Sequence, residues 1–197
     1  MAEHEAPRPA LIDVPSEIRT ERLVIRALRP EDAQGLFESI DTSRESLSPW
    51  LGFVDATESV IDSRETVAQF IASWALRTDL PFGVFDAASG QHIGSTGLHR
   101  MDWKLRSFEI GYWLRTSAVG HGYMTETVQA LTCMAFDALD ARRVEIRLDP
   151  SNLRSKAIPE RLGFQHEGTL RSSLIDHHGE VRSTSIYALV RGDTLPE

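Results

Sequence analysis

The chain has 197 residues, 41% hydrophobic and 25% charged, with a formal net charge of −8. That is enough chain for one self-sufficient core, and too acidic for a general nucleic-acid binder, so basic proteins or amines suit it better as partners. A single cysteine, Cys133, excludes an internal disulfide and fits a reducing cytoplasm. Its neighbours Leu131, Met134 and Phe136 predict a buried structural thiol. No apolar run reaches the ~20 residues of a membrane span. The acidic, proline-bearing start lacks the basic-then-apolar layout of a signal peptide.

In chain order, residues 1–18, with Pro7, Pro9 and Pro15, read as a mobile arm, followed by one domain over residues 19–193. Glu21–Leu28 alternates as a strand. Pro30-Glu31-Asp32 suits a first helical turn, and Ala33, Leu36, Phe37 and Ile40 continue at helical spacing. Ser46–Thr57 reads as a loop. A second helix is expected over Ser63–Thr78, with Val67, Phe70, Ile71 and Trp74 on one stripe. Phe82–Asp86 and His92–His99 form a hairpin about Ser89-Gly90, and Phe108–Leu114 is the next strand. After Gly120-His121-Gly122 a long helix places Met124, Val128, Leu131, Ala135 and Leu139 on one face. Arg143–Leu148 is a strand, Leu153–Leu162 a helix capped by Asn152, and Phe164–Leu174 and Arg182–Val190 are closing strands. The order β-α-α-β-β-β-α-β-α-β-β predicts an α+β domain with a mixed sheet.

The turn between Leu114 and the long helix carries the most chemistry. A helix N-terminus presents about four unpaired N–H groups and a partial positive charge, and glycines let an anion approach them. No Gly-Lys-Ser/Thr follows, so this is not a nucleotide-triphosphate loop. After Gly120 and Gly122 the third glycine of a dinucleotide fingerprint would fall at Thr125, so that pattern is missing too.

Strand, turn and helix resemble motif A of the GNAT acetyltransferase superfamily, where turn amides hold the pyrophosphate of acetyl-CoA. The superfamily pattern Gln/Arg-x-x-Gly-x-Gly/Ala reads here as Val119-Gly120-His121-Gly122-Tyr123-Met124, so Val119 and Met124 depart from it. The flanks Glu109-Ile110-Gly111-Tyr112-Trp113-Leu114 and Gly122-Tyr123-Met124-Thr125-Glu126 resemble the RimJ/RimL-type branch of ribosomal-protein N-terminal acetyltransferases. The block from Asp149 to Phe164, continued by Glu167-Gly168-Thr169-Leu170-Arg171, resembles motif B of the same branch.

The resemblance implies the GNAT fold: a mostly antiparallel sheet with helices on both faces and a splayed parallel strand pair at the CoA site. It implies an N-acetyltransferase moving acetyl from acetyl-CoA to a primary amine by direct attack, the amine being a protein N-terminus or a small molecule. Pyrophosphate would rest on Val119, Gly120, His121, Gly122, Tyr123, Met124 and Thr125. Trp113 and Leu114 would flank the acyl carbonyl, with Asn152, Ser155 and Ile158 against the rest of the cofactor.

Acetyl transfer needs a deprotonated amine, a stabilised oxyanion and a partner for the departing thiolate. Strand alternation puts Glu109, Gly111 and Trp113 on one face. A carboxylate there should have a raised pKa and suit a base, or else form an ion pair with Arg100 or Arg147. Many superfamily members use a tyrosine acid where this chain has Pro159. The branch instead points to Ser155 as hydrogen-bond donor to the thiolate, the alternative being a capping role. Pro159 cannot donate to the carbonyl of Ser155 and so leaves that acceptor free. Trp50 and Phe53 would wall the acceptor site or pack in the core. Leu174 stands where ribosomal members carry a glutamate. His177-His178 shows no third ligand, and the chemistry needs no metal. A non-catalytic acyl-CoA sensor is the alternative function, a nucleotide binder a more remote one, and the terminal strands offer an edge for a homodimer.

Overall fold

The computed structural model describes residues 8–193. The strands are β1 (Glu17–Arg19), β2 (Leu23–Ala27), β3 (Leu80–Asp86), β4 (His92–Asp102), β5 (Ser107–Leu114), β6 (Arg143–Leu148), β7 (Gln165–Ile175) and β8 (Val181–Val190). They form one eight-stranded sheet in the order β1-β2-β3-β4-β5-β6-β8-β7. Every neighbouring pair is antiparallel except β5 and β6, which run parallel. The mixed α+β sheet expected from the chain order is present, with β1 as one strand more than that order contained. The chain is docked upstream of it as well, since Val14 is buried and the Ile12 carbonyl accepts the Arg77 Nε–H at 3.1 Å.

The helices are α1 (Ala33–Asp41), α2 (Arg44–Leu47), α3 (Phe53–Ala56), α4 (Val60–Leu76), α5 (Tyr123–Asp137) and α6 (Leu153–Arg161). Entry to α1 is set by Asp32, whose carboxylate accepts the Arg29 N–H at 2.7 Å and grips both Nη groups of Arg26 at 2.7 Å. The segment read as a loop over Ser46–Thr57 holds most of the short helices α2 and α3. Segments of four residues carry no measurable period, so the sequence pattern misses them.

Alternation along β5 sorts the core onto two faces. Phe108 and Ile110 lie in the larger cluster with Met124, Val128, Leu131, Ala135 and Leu139, the stripe expected for α5. Trp113 points the other way, packing on the smaller cluster of Leu36, Ile40, Val54, Val67 and Phe85. Cys133 falls off the α5 stripe and is exposed, correcting the expectation of a buried thiol. Partial desolvation and Asp137 one turn away raise its pKa, which disfavours the nucleophilic thiolate.

Candidate active site

The parallel pair opens as a fork. β5 and β6 are in register only over Ser107↔Arg143, Phe108↔Val144 and Glu109↔Glu145. On its other side β5 stays paired with β4 as far as Gly94↔Leu114. Its edge from Ile110 to Leu114 therefore faces the fork with no partner strand among the described residues. An extended ligand bearing amide groups can add to such an edge like a strand. β4 and β5 crowd closely here, because a Cβ on Gly94 would lie 2.3 Å from the Trp113 carbonyl oxygen.

Beyond Leu114 a 3₁₀ turn, Thr116–Ala118, leads into the glycine turn. Gly120 and Gly122 have φ of 91° and 79°, a left-handed backbone that L side chains resist. The α5 ladder begins with the Glu126 N–H donating to the Gly122 carbonyl at 3.1 Å, so the amides of Gly120 to Thr125 stand ahead of it. Val119 is exposed, whereas the Met124 side chain is buried in the core and leaves only its backbone to the turn. The off-pattern methionine therefore does not narrow the entrance. Thr125 Oγ1 accepts from Arg161 Nη1 at 2.8 Å, tying α5 to α6.

Arg22, which the sequence pattern did not single out, clamps this turn from the position just before β2. Its Nη1 donates to the His121 carbonyl at 2.9 Å and its Nε to Glu126 Oε2 at 2.7 Å. The guanidinium also lies 4.9 Å from the Tyr123 ring centroid. Glu126 would otherwise bring an uncompensated negative charge to the helix end expected to meet an anion.

At the apex of the fork, on the Trp113 face, sits Glu109. Burial raises its pKa, and Arg100, Arg147 and His99 only partly offset that. Arg100 Nε lies 2.9 Å from Glu109 Oε2. The carboxyl is thus raised by burial and also has an ion-pair partner. A register shift between His99 and Asp102, with Arg100 at φ 45°, marks a bulge in β4 beside it. His99 is the cross-strand partner of Glu109, and its Nδ1 lies 2.8 Å from Asp79 Oδ1.

On the opposite face α6 brings Ser155 to β5. Asn152 Oδ1 accepts the Ser155 N–H at 3.1 Å, the expected cap. Ser155 Oγ donates to Tyr112 Oη at 3.2 Å, while that Tyr112 hydroxyl donates to the Ser155 carbonyl at 2.9 Å. Burial pushes the Tyr112 pKa up, so it stays a neutral donor. Tyr112 was a neighbour missed in the sequence. Pro159 was the available signal, since it frees the carbonyl that Tyr112 occupies. Ile158 packs at the edge of the same core.

The Trp113 face carries an aromatic wall. Phe53 on α3 meets Trp113 with ring centroids 6.1 Å apart. Trp50 and Leu174 are exposed. The β7–β8 hairpin that carries Leu174 reaches this wall at its tip, where a Cβ on Gly52 would lie 3.0 Å from the His177 Cβ. The third polar group absent from the sequence reading of His177-His178 is Asp55: the three sets of ligand atoms lie within 4.8 Å of one another. Asp55 Oδ1 already accepts from Ser48 Oγ at 2.7 Å, and its Oδ2 lies 3.5 Å from His177 Nε2, so the cluster latches hairpin to helix.

Residues 22–165 match the family model described as an acetyltransferase (GNAT) domain. The chain is 35% identical over 157 residues to YdaF of Bacillus subtilis (strain 168), provisionally named a ribosomal N-acetyltransferase, covering 78% of this chain and 84% of that one. It is 26% identical over 154 residues to the ribosomal-protein-serine acetyltransferase of Escherichia coli (strain K12), covering 78% and 85%. The fold matches the crystal structure of the microcin C7 self-immunity acetyltransferase MccE in complex with acetyl-CoA and AMP, with TM-score 0.84, 21% identity, and coverage of 90% and 97%. Among the described residues no helix is long and apolar enough to cross a membrane.

Proposed function

The chain belongs to the GNAT acetyltransferase family, and from that premise we propose that it acetylates the N-terminal amine of a protein by direct attack on acetyl-CoA, in the cytoplasm. It is an acetyl-CoA-dependent N-acetyltransferase of the RimJ/RimL type. The sensor and nucleotide-binding alternatives give way to that assignment. The observation that carries the acceptor chemistry is the fork, with Glu109 on one face and the Tyr112–Ser155 pair on the other.

Bound acetyl-CoA supplies an activated acyl carbon and a thiol leaving group. In the proposed arrangement the amides of Gly120 to Thr125 hold its pyrophosphate, and the open edge of β5 at Trp113 and Leu114 carries the pantetheine amides. Asn152, Ser155 and Ile158 border its thiol end. Glu109 receives the ammonium of the acceptor and takes one proton, a step its raised pKa favours. Ser155 Oγ turns from Tyr112 to donate to the forming thiolate. Trp50, Phe53 and Leu174 wall the acceptor, whose N-terminal identity is supported by the names of the ribosomal relatives.

The test incubates the protein with acetyl-CoA and three amines: a peptide beginning with Ser, a peptide beginning with Ala, and spermidine. Acetylated product is read by mass spectrometry. Acetylation of a peptide N-terminus is expected. Acetylation of spermidine alone would replace the protein acceptor by a small amine. The β7 edge, exposed along its length, is the surface we assign to a homodimer; light scattering at a single monomer mass would remove that assignment.

A further inference from the structure

The acceptor face holds a second titratable pair that the scheme above does not use. His99 and Asp79 lie twenty residues apart and meet with Nδ1 at 2.8 Å from Oδ1 and 3.0 Å from Oδ2. A carboxylate on Nδ1 favours the tautomer with hydrogen there, leaving Nε2 as an acceptor. Among the described residues no hydrogen bond is formed by that Nε2.

The ring is aimed, not merely exposed. Gly97 and Gly111 are cross-strand partners, and a Cβ on either would meet the imidazole: 2.9 Å from Nε2 at Gly97, and 2.9 Å from Cδ2 and 3.0 Å from Nε2 at Gly111. Neither glycine has a positive φ, so their bare backbone serves close approach. The imidazole therefore lies over a glycine window between Glu109 and Trp113, on the face we assign to the acceptor. The charged groups about it are Asp79 ahead of β3, Arg100 on β4, Glu109 on β5, and Glu145 and Arg147 on β6.

We infer that His99, held by Asp79, is a second proton acceptor of the acetyl-transfer site. The inference rests on the amine-acceptor reading above. An ammonium must lose two protons to become an amide nitrogen. Glu109 takes the first, and the neutral amine then forms the N–C bond to the acyl carbon. His99 Nε2 takes the second proton as the C–S bond breaks and its electron pair leaves on sulfur. The thiolate, hydrogen-bonded by Ser155, is protonated from solvent, and Glu109 and His99 return their protons to solvent. One proton is released per turnover.

The test uses the full chain with acetyl-CoA and the best acceptor among the two peptides and spermidine, reading acetylated amine. His99→Ala is expected to lower kcat about tenfold or more, the low end for acid–base roles, with CoA affinity unchanged. Added imidazole should restore part of the rate, a response a packing role would not give. Gly111→Ala keeps the imidazole and Asp79 but displaces the ring; it should lower kcat in the parent and add little in the His99→Ala background. Full activity in His99→Ala, or a loss that imidazole leaves untouched while Gly111→Ala adds to it, overturns the inference. Absence of product from the unaltered protein with all three amines overturns the acceptor reading instead, and this inference with it.

Discussion

Tyr112 donates its hydroxyl to the Ser155 carbonyl at 2.9 Å, across the interface between β5 and α6. That acceptor is open because residue 159 is a proline inside the helix and brings no N–H. The same Tyr112 oxygen accepts from Ser155 Oγ at 3.2 Å. One phenol thus holds both the backbone and the side chain of the residue assigned to the thiolate.

Removing that phenol should separate chemistry from binding. Tyr112→Phe leaves a partly buried carbonyl without its partner, a cost of at most about 1–3 kcal/mol in unfolding free energy. It also releases Ser155 Oγ, so kcat should fall while CoA affinity stays close to its parent value. Pro159→Ala in the Tyr112→Phe background returns an N–H to the Ser155 carbonyl and should recover part of the stability in urea melts, but not the rate. A rate restored along with stability would mean that Tyr112 acts on the fold alone.

The glycine turn makes a second prediction through charge. Arg22→Ala exposes the Glu126 carboxylate at the α5 N-terminus, where a ligand phosphate would meet it. CoA should bind about two- to fivefold more weakly, the range for one charge at a helix end, and high salt should shrink the difference. Glu126→Gln added to Arg22→Ala should recover much of the affinity. Calorimetric titration with CoA measures all three proteins, and equal affinities throughout would remove Arg22 from the site.

Glu109 predicts a pH dependence. Its folded pKa lies above the ordinary carboxylate value because burial disfavours the charge. The acidic limb of kcat/KM should therefore sit above the ~4.3 of a free glutamate. Arg100 opposes the shift, so Arg100→Ala should move that limb to higher pH, whereas Glu109→Gln should abolish it and lower the rate. Stability runs the other way. A carboxyl with a raised folded pKa weakens the fold wherever it is ionised. That penalty is full above the folded pKa and fades as pH falls through it toward the unfolded value. Glu109→Gln should thus melt higher than the parent at neutral pH, with the gap closing in acid.

Much of this site could be read from local pattern, because its parts are local. Gly120 and Gly122 required positive φ, Asn152 was placed to cap, and Pro159 freed one carbonyl; each depends on neighbours within a few positions. Cys133 departs from its local pattern because apolar neighbours in sequence are not neighbours around a helix: Leu131 and Ala135 lie on the buried stripe and Cys133 does not. The partners Arg22–Glu126, Asp79–His99 and Tyr112–Ser155 were illegible for a different reason. Each joins residues brought together only by strand register or helix docking, at separations of 104, 20 and 43 residues.

The acceptor wall supports a last prediction. Gly52 stands where a Cβ would come within 3.0 Å of His177, so the β7–β8 tip rests directly on its backbone. Gly52→Ala should push the hairpin tip away from α3 and loosen the Asp55–His177 contact of 3.5 Å. Gly52 has a helical φ of −62°, which alanine adopts without strain, so the variant should fold. Its effect should fall on the amine side: a higher KM for the acceptor peptide and an unchanged KM for acetyl-CoA, which we propose to lie along the fork and the glycine turn. His177→Ala makes room for the added methyl and, combined with Gly52→Ala, should show no further rise in acceptor KM beyond its own. A Gly52→Ala protein with both KM values unchanged would place the acceptor away from this wall, and Trp50, Phe53 and Leu174 with it.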